Sequence, residues 1–267
     1  MKSVKKKQSL SLIILLIVAS FLTAGCVSLS YNVATGQRET ILYPTEKEVK
    51  LGKRLAKKLI DKYGLVDDDI EQQRIDEIGK RLARVSDRQD IEYHFDIIDD
   101  EEVNALALPG GYIFISKGLV EVADTDDEIA AVLAHEVGHV ACYHAVKKMQ
   151  GHFLYTFLRA LSLTQERDPA FSAGSDFAYL SVMMRYSQDY EKEADRLSAR
   201  YLKRAGFNPE AALSILNKLE EIDKKEPLRR YTYFRTHPPI ATRKAVIRQE
   251  ITGRLDYEGY LNLMEDY

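Results

Sequence analysis

The sequence predicts an α+β fold, mainly helical with one small sheet, and three observations carry that prediction. Apolar residues recur at helical intervals through most of the chain after residue 45. One stretch, Ile91 to Asp99, alternates instead. Directly after it, Pro109-Gly110-Gly111 punctuates two extended apolar pieces. With 267 residues, 45% hydrophobic and 30% charged, the chain can bury a substantial core in one domain, or at most two small ones. Its 38 basic and 41 acidic residues give no sign of nucleic-acid binding.

The N-terminus reads as a targeting signal. Lys5-Lys6-Lys7 is followed by an uncharged run of 13 residues, Leu10 to Leu22. That run is shorter than the ~20 residues of a spanning helix. It ends in "LTAGC", Leu22 to Cys26, which resembles the lipobox of bacterial lipoproteins, although Thr23 departs from the usual leucine. The resemblance implies a signal peptide over residues 1–25 and lipidation at Cys26. An uncleaved anchor with an incidental cysteine is the alternative. Without the first 25 residues the balance is 34 basic against 41 acidic, that of an acidic soluble domain. Cys142, the other cysteine, falls in a helical run and reads as a small buried hydrophobe.

Residues 26–45 lack a sustained period and read as a tether or arm, leaving 46–267 as the folded domain. Thr45, with Glu46 and Glu48 behind it, reads as the cap of a helix reaching Tyr63, packed through Val49, Leu51, Leu55 and Leu59. A second helix, Asp69 to Val85, spaces Ile70, Ile75, Ile78, Leu82 and Val85. Tyr93, Phe95 and Ile97 share one side of a strand. Ala105 to Leu108 and Tyr112 to Ile115 form a hairpin or bent edge. Thr125 to Glu128 announces a helix running to about Gln150, with a further helix near Phe153 to Leu163. A polar break, Thr164 to Asp176, is a candidate mobile lid. A long helix from about Asp176 then ends at Gly206.

The chemistry sits on two of these helices. In "AAVLAHEVGHVACYHA", Ala130 to Ala145, His135 and His139 are four apart, about 40° around the helix and one turn along it. Two imidazoles so placed can share one zinc ion, and Glu136 beside them can act as general base on a water whose pKa zinc lowers to about 7. Otherwise two histidines and a glutamate lie unexplained among apolar residues that read as a buried wall. His144, about 140° from His139, cannot easily join that face and reads as structural. A third ligand is needed. On the helix around "EKEAD", Glu191 could ligate and Asp195 could hold the far nitrogen of a ligand histidine, while Glu193 points about 200° from Glu191. A solvated charged face fits the same spacing. His94 and His152 read as surface or packing residues.

The pair His135-Glu136-Val137-Gly138-His139 and Glu191-Lys192-Glu193-Ala194-Asp195 resembles the HExxH and ExxxAD motifs of gluzincin metallopeptidases related to HtpX and the CAAX prenyl proteases. The soluble envelope lipoprotein branch (BepA-like and LoiP-like) is the nearest match. "NALALPGGYIFISKGL" (Asn104 to Leu119) and "RTHPPIATR" (Arg235 to Arg243) match further motifs in order, so the resemblance spans about residues 30 to 245. It implies a gluzincin-type domain whose edge strand borders the active-site cleft. It implies one Zn2+ held by His135, His139 and Glu191, with Glu136 as base and Asp195 in support. His237, by itself a turn histidine, matches one that approaches the metal in relatives, either stabilising an oxyanion or plugging the open position. Arg243 matches a supporting basic residue. Asn104, Ala105, Leu106, Ala107 and Leu108 would accept a peptide as an added strand; an ordinary sheet edge is the alternative. The 24 residues after Arg243 are too few for the helical repeats that some relatives append.

The expected function is a zinc metalloendopeptidase of the cell envelope, acting on misfolded or unassembled envelope proteins. The alternative is a latent or weakly proteolytic chaperone with His237 as the plug. Val27 is not aspartate, which by resemblance to Gram-negative lipoproteins places the protein on the periplasmic face of the outer membrane. A single-membrane bacterium would carry it on the outer face of that membrane.

Overall fold

A computed structural model describes residues 28–32, 36–162, 188–225, 237 and 240–254. Cys26, the proposed lid at 164–176 and the first part of the long helix lie outside these residues. The stretch read as a tether or arm, for want of a sustained period, contains regular structure. β1 (Ser28–Asn32) and β2 (Gln37–Ile41) form an antiparallel hairpin, Ser28 opposite Ile41. β2 is mostly exposed and polar, with Ile41 alone buried, which is why little apolar alternation was visible.

α1 (Thr45–Tyr63) corrects a second expectation. Thr45 does not cap it. Pro44 is the N-cap without a side-chain bond, and the Thr45 hydroxyl donates to Asp90 instead, at 3.0 Å. Its buried stripe is Glu48, Gly52 and Ala56 rather than the four larger apolar residues, which are half-buried. Glu48 forms a bidentate pair with buried Arg88 (2.7 and 3.0 Å) and accepts the Gly110 N–H at 2.9 Å. Arg88 also donates to the Val140 carbonyl at 3.2 Å. α2 (Asp69–Val85) is capped by Asp68, which accepts from Ile70 and Glu71 N–H. Ile75, Ile78 and Leu82 are buried, but Ile70, expected to pack, is 83% exposed. It lies in the first turn, off the stripe.

The sheet has the order β3-β5-β4: β3 (His94–Ile98) runs parallel to β5 (Tyr112–Ser116), and β4 (Ala105–Leu108) pairs antiparallel with β5. The β4–β5 connection is a 3-10 turn, Pro109–Gly111, in which Gly110 has φ 75° and a Cβ would lie 2.6 Å from the Val49 Cα. Only glycine fits there. Central β5 is buried on both faces. Ile113 and Ile115 enter the main core, while Phe114 packs with Ala56 and Ile98 under α1. Among the described residues β4 is one edge of the sheet and β3 the other.

α3 (Lys117–Val122) leads into α4 (Asp126–Ala141), capped by Thr125. From Glu128 to Val140 every residue of α4 is buried. Its apolar members, with α2, the sheet and the later helices, make the core, each fully buried leucine or isoleucine contributing about 2 kcal/mol. The expected single helix to Gln150 is broken. α4 stops at Ala141, and α5 (His144–Ser162), which absorbs the helix expected near Phe153, starts after a 48° bend. Tyr143, at φ 57°, is the only non-glycine with positive φ among the described residues. That conformation costs about 1 kcal/mol, and the Arg88 guanidinium, 3.8 Å from the Tyr143 ring centroid, helps hold it. The helix over residues 188–205 (α6) ends at Gly206; α7 (Ala211–Lys225) and α8 (Ile240–Thr252) complete the described part. No single described helix is long and apolar enough to cross a membrane.

Candidate metal centre

α4 carries His135, Glu136 and His139 on its most buried stretch, and α6 lies against it. The approach is close because Gly138 faces α6: a Cβ there would sit 3.0 Å from the Ala194 carbonyl oxygen and 3.1 Å from its Cα. This contact sets Glu191 and Asp195 over the two histidines. His135 Nε2 is 3.0 Å from His139 Nε2 and 3.3 Å from Glu191 Oε2, and His139 Nε2 is 3.4 Å from Glu191 Oε1. A tetrahedron with bonds of about 2.0 Å has edges of about 3.3 Å, so these three donors match a zinc site. His237 adds a fourth donor. Its Nδ1 is 2.7 Å from Glu191 Oε2 and 3.3 Å from His135 Nε2, and its Nε2 is 3.6 Å from Glu136 Oε1. Ligand atoms of His135, His139, Glu191 and His237 all lie within 4.8 Å of one another, and all four residues are buried.

Behind these donors, Asp195 Oδ1 is 2.9 Å from His135 Nδ1. Asp195 in turn accepts from Arg243 Nε and Nη2, at 2.9 Å each, and Arg243 Nη2 is 3.2 Å from His135 Nδ1. Arg243 arrives on the first turn of α8. The residues proposed from the sequence for metal and base roles are thus brought into one cluster. The edge-strand candidates stand beside it: Ala107, Leu108 and Pro109 line a small gap with His139 and Val140. Asn104 precedes the strand, buried, with its Oδ1 unpartnered. His152 is exposed and His94 half-exposed, stacked on Tyr112.

The electrostatics fit a cation. Arg243 pairs with Asp195, which leaves the Glu191 and Glu136 carboxyl groups facing the histidines in a buried site. Glu191 Oε1 and Glu136 Oε1 are buried without a hydrogen-bond partner, an expensive arrangement unless a charge answers them. Burial opposes the Glu191 charge, yet the proximity of His237 and His139 and hydrogen bonds with His135 and His237 hold its pKa well below the carboxylate range. Asp195 is lowered in the same way, Arg243 and His135 outweighing burial. Burial above all, then the neighbouring histidines, keeps His139 well below its ordinary value and so neutral, as a ligand must be. For His135, burial and Arg243 push down, but Asp195 and Glu191 prevail and raise it to about 9. Asp195 favours a proton on Nδ1, which leaves Nε2, the nitrogen facing Glu191 and His139, as the one to meet a metal ion.

His144 stands differently from its sequence reading. The break at Ala141–Tyr143 swings it back, and its Nδ1 lies 2.8 Å from His139 Nδ1. An unbroken helix would have carried it to the far side. Burial brings His144 down to about 4, so it is neutral near pH 7. Glu193, which indeed points away from Glu191, meets His144 Nε2 at 3.0 Å. No local sequence pattern announces either contact, or Gly138 as the spacer. The "HExxH" frame followed by one more histidine was the available hint. Burial drives the Cys142 thiol pKa far above its ordinary value, in line with a packing role.

Two histidines and a glutamate on one buried helix turn, faced by a carboxylate from a second helix, match the arrangement of a zincin-type metal centre. The chain belongs to peptidase family M48, whose profile matches residues 69–251. It is similar to the β-barrel assembly-enhancing protease of Escherichia coli (strain K12), 28% identical over 65% of this chain and 37% of that one. It is also similar to two metalloproteases of that organism. YcaL is 30% identical over 66% of this chain and 70% of its own; LoiP is 31% identical over 67% and 70%. The chain thus spans well under half of the assembly-enhancing protease.

Proposed function

We propose that the chain is a zinc-dependent endopeptidase of the bacterial cell envelope that cuts misfolded or unassembled envelope proteins. The observation that carries this reading is the triangle of His135 Nε2, His139 Nε2 and Glu191 oxygens, with edges of 3.0–3.4 Å beside the buried Glu136. In this reading one zinc ion is held by these three residues. Zinc supplies Lewis acidity there, polarising a carbonyl and acidifying water. Glu136 takes the proton of the attacking water and returns it to the departing amine. Asp195 keeps the His135 ring oriented, and Arg243 keeps Asp195 charged. The edge from Asn104 to Leu108 receives an extended substrate segment as an added strand, which favours unfolded clients over folded ones. Cys26 carries the lipid after removal of residues 1–25, residues 26–45 join it to the catalytic domain at 46–267, and the outer membrane's periplasmic face is the site of action. The name of the β-barrel assembly-enhancing relative supports the envelope assignment.

One observation favours a second reading. His237 Nδ1 stands at the fourth position of the triangle, so the resting site is closed and proteolysis is latent until His237 withdraws. Zinc content and cleavage of an unfolded protein such as casein test both readings in wild type, Glu136→Gln, Glu191→Ala and His237→Ala. Glu191→Ala loses the zinc and Glu136→Gln retains it with activity down about 10²-fold or more. Unchanged zinc in Glu191→Ala overturns the ligand set. Activity confined to His237→Ala establishes latency. Client binding without cleavage in every variant means a chaperone.

A further inference from the structure

A buried histidine and a partly buried glutamate beside the metal triangle have no part in the mechanism above. His144, at the start of α5, places Nδ1 2.8 Å from His139 Nδ1 and Nε2 3.0 Å from Glu193 Oε2. The Tyr190 ring stacks on its face, centroids 4.2 Å apart and planes 13° from parallel. His144 is 1% exposed, and the Glu193 side chain 15%.

The tautomers follow from counting protons, given the reading of His139 as a ligand. A neutral imidazole has one N–H. His139 turns Nε2 toward His135 Nε2 and Glu191, so a metal there leaves its proton on Nδ1. That N–H has His144 Nδ1 as its acceptor, so His144 Nδ1 is bare. The His144 proton then sits on Nε2 and is donated to the Glu193 carboxylate. Each ring is left with one tautomer and one orientation.

We propose that His144 and Glu193 are positioning residues for the metal centre: a carboxylate–histidine relay that fixes the tautomer of His139 and strengthens it as a donor. Asp195 does the same for His135 directly. Each ligand histidine is thus backed by a carboxylate, one by contact and one through a second ring. The break between α4 and α5 gains a purpose, because only that turn brings His144 to His139. The other use of this cluster is a second metal site, since ligand atoms of Cys142, His144 and Glu193 lie within 4.8 Å of one another. The relay is favoured because the Cys142 thiol donates to Asn32 Oδ1 at 3.7 Å and both His144 nitrogens are engaged.

The test measures zinc stoichiometry, zinc affinity by chelator competition, and imidazole tautomers by nitrogen-15 NMR of the zinc-loaded chain. Wild type, His144→Ala, His144→Asn and Glu193→Gln are compared. The expected result is one zinc per wild-type chain, with His139 protonated at Nδ1 and His144 at Nε2. His144→Ala weakens zinc binding about 10–100-fold. His144→Asn, whose amide oxygen can take the place of Nδ1, recovers part of the loss, a rescue that mere packing does not explain. Glu193→Gln, of the same shape, weakens binding less. Affinity within twofold of wild type in both His144 variants, or a His144 proton on Nδ1, overturns the relay while leaving the zinc site standing. Two zinc ions per chain, one lost in His144→Ala, replaces it with a second metal site. A wild-type chain that binds no zinc removes the underlying metal reading instead.

Discussion

Asp195 holds opposite partners at once, His135 Nδ1 at 2.9 Å and both arms of Arg243, all of them buried. Asparagine keeps the shape but offers one acceptor oxygen in place of two and no charge for the guanidinium. Asp195→Asn is therefore expected to lower zinc affinity about 10–100-fold and to cost about 3 kcal/mol from the uncompensated buried Arg243. Chelator competition and urea unfolding of the metal-free chain read these separately. A variant with wild-type affinity would remove Asp195 from the site's support. At this scale the sequence was most informative where chemistry restricts residue type. Imidazole and carboxylate at fixed helical spacing have few other uses inside an apolar run, which is why His135, Glu136 and His139 could be proposed from the sequence. His144 could not, because its position depends on one backbone torsion at Tyr143 that no glycine or proline announces.

Between elements, the controlling distances belong to residues without chemistry. Gly138 lets α4 approach the backbone of α6, and a methyl group at 3.0 Å from the Ala194 carbonyl must push the helices apart by tenths of an ångström. Gly138→Ala should raise intrinsic helix propensity yet destabilise the fold by about 1–3 kcal/mol. It should also weaken zinc binding, because Glu191 moves with α6. Higher thermal stability with unchanged zinc affinity would show the approach to be slack. A second link joins α4 to α7. Glu128, 4% exposed, accepts from Lys218 Nζ at 2.5 Å, Ser214 Oγ at 2.6 Å and the Asp124 N–H at 2.7 Å. Burial opposes its charge, but these partners prevail and lower its pKa. A depressed folded-state pKa stabilises above the ordinary glutamate value of about 4.3. That contribution is lost as pH falls through the folded value. Acid unfolding of Glu128→Gln should accordingly be less steep below pH 4.3, after a loss of about 1–3 kcal/mol at neutral pH. Equal steepness would exclude Glu128 as a source of acid sensitivity. The helices were legible as periodic stretches, but their contact faces were less so. In α1 the buried stripe is a glutamate, a glycine and an alanine, which a count of large apolar residues passes over.

Over the whole molecule, the α+β class was legible because a single alternating stretch and one Pro-Gly-Gly turn stand out against helical periodicity. The meeting of residues 135, 191, 237 and 243 was not a matter of local pattern, and only the order of motifs along the chain suggested it. The first helix, α1, bears on the centre through Glu48. That one carboxylate receives Arg88 and the Gly110 N–H, while Arg88 reaches the last turn of α4 and the ring of Tyr143. The family profile begins only at residue 69. A chain shortened to that boundary would retain every proposed ligand and the base, but would strand a buried guanidinium under the turn that aims His144. Such a fragment should be unfolded or bind zinc poorly, whereas one starting at Thr45 should do neither; circular dichroism and zinc titration distinguish them. On this expectation the smallest working unit is larger than its recognisable motif and reaches back to a glutamate about ninety residues before the first proposed metal ligand.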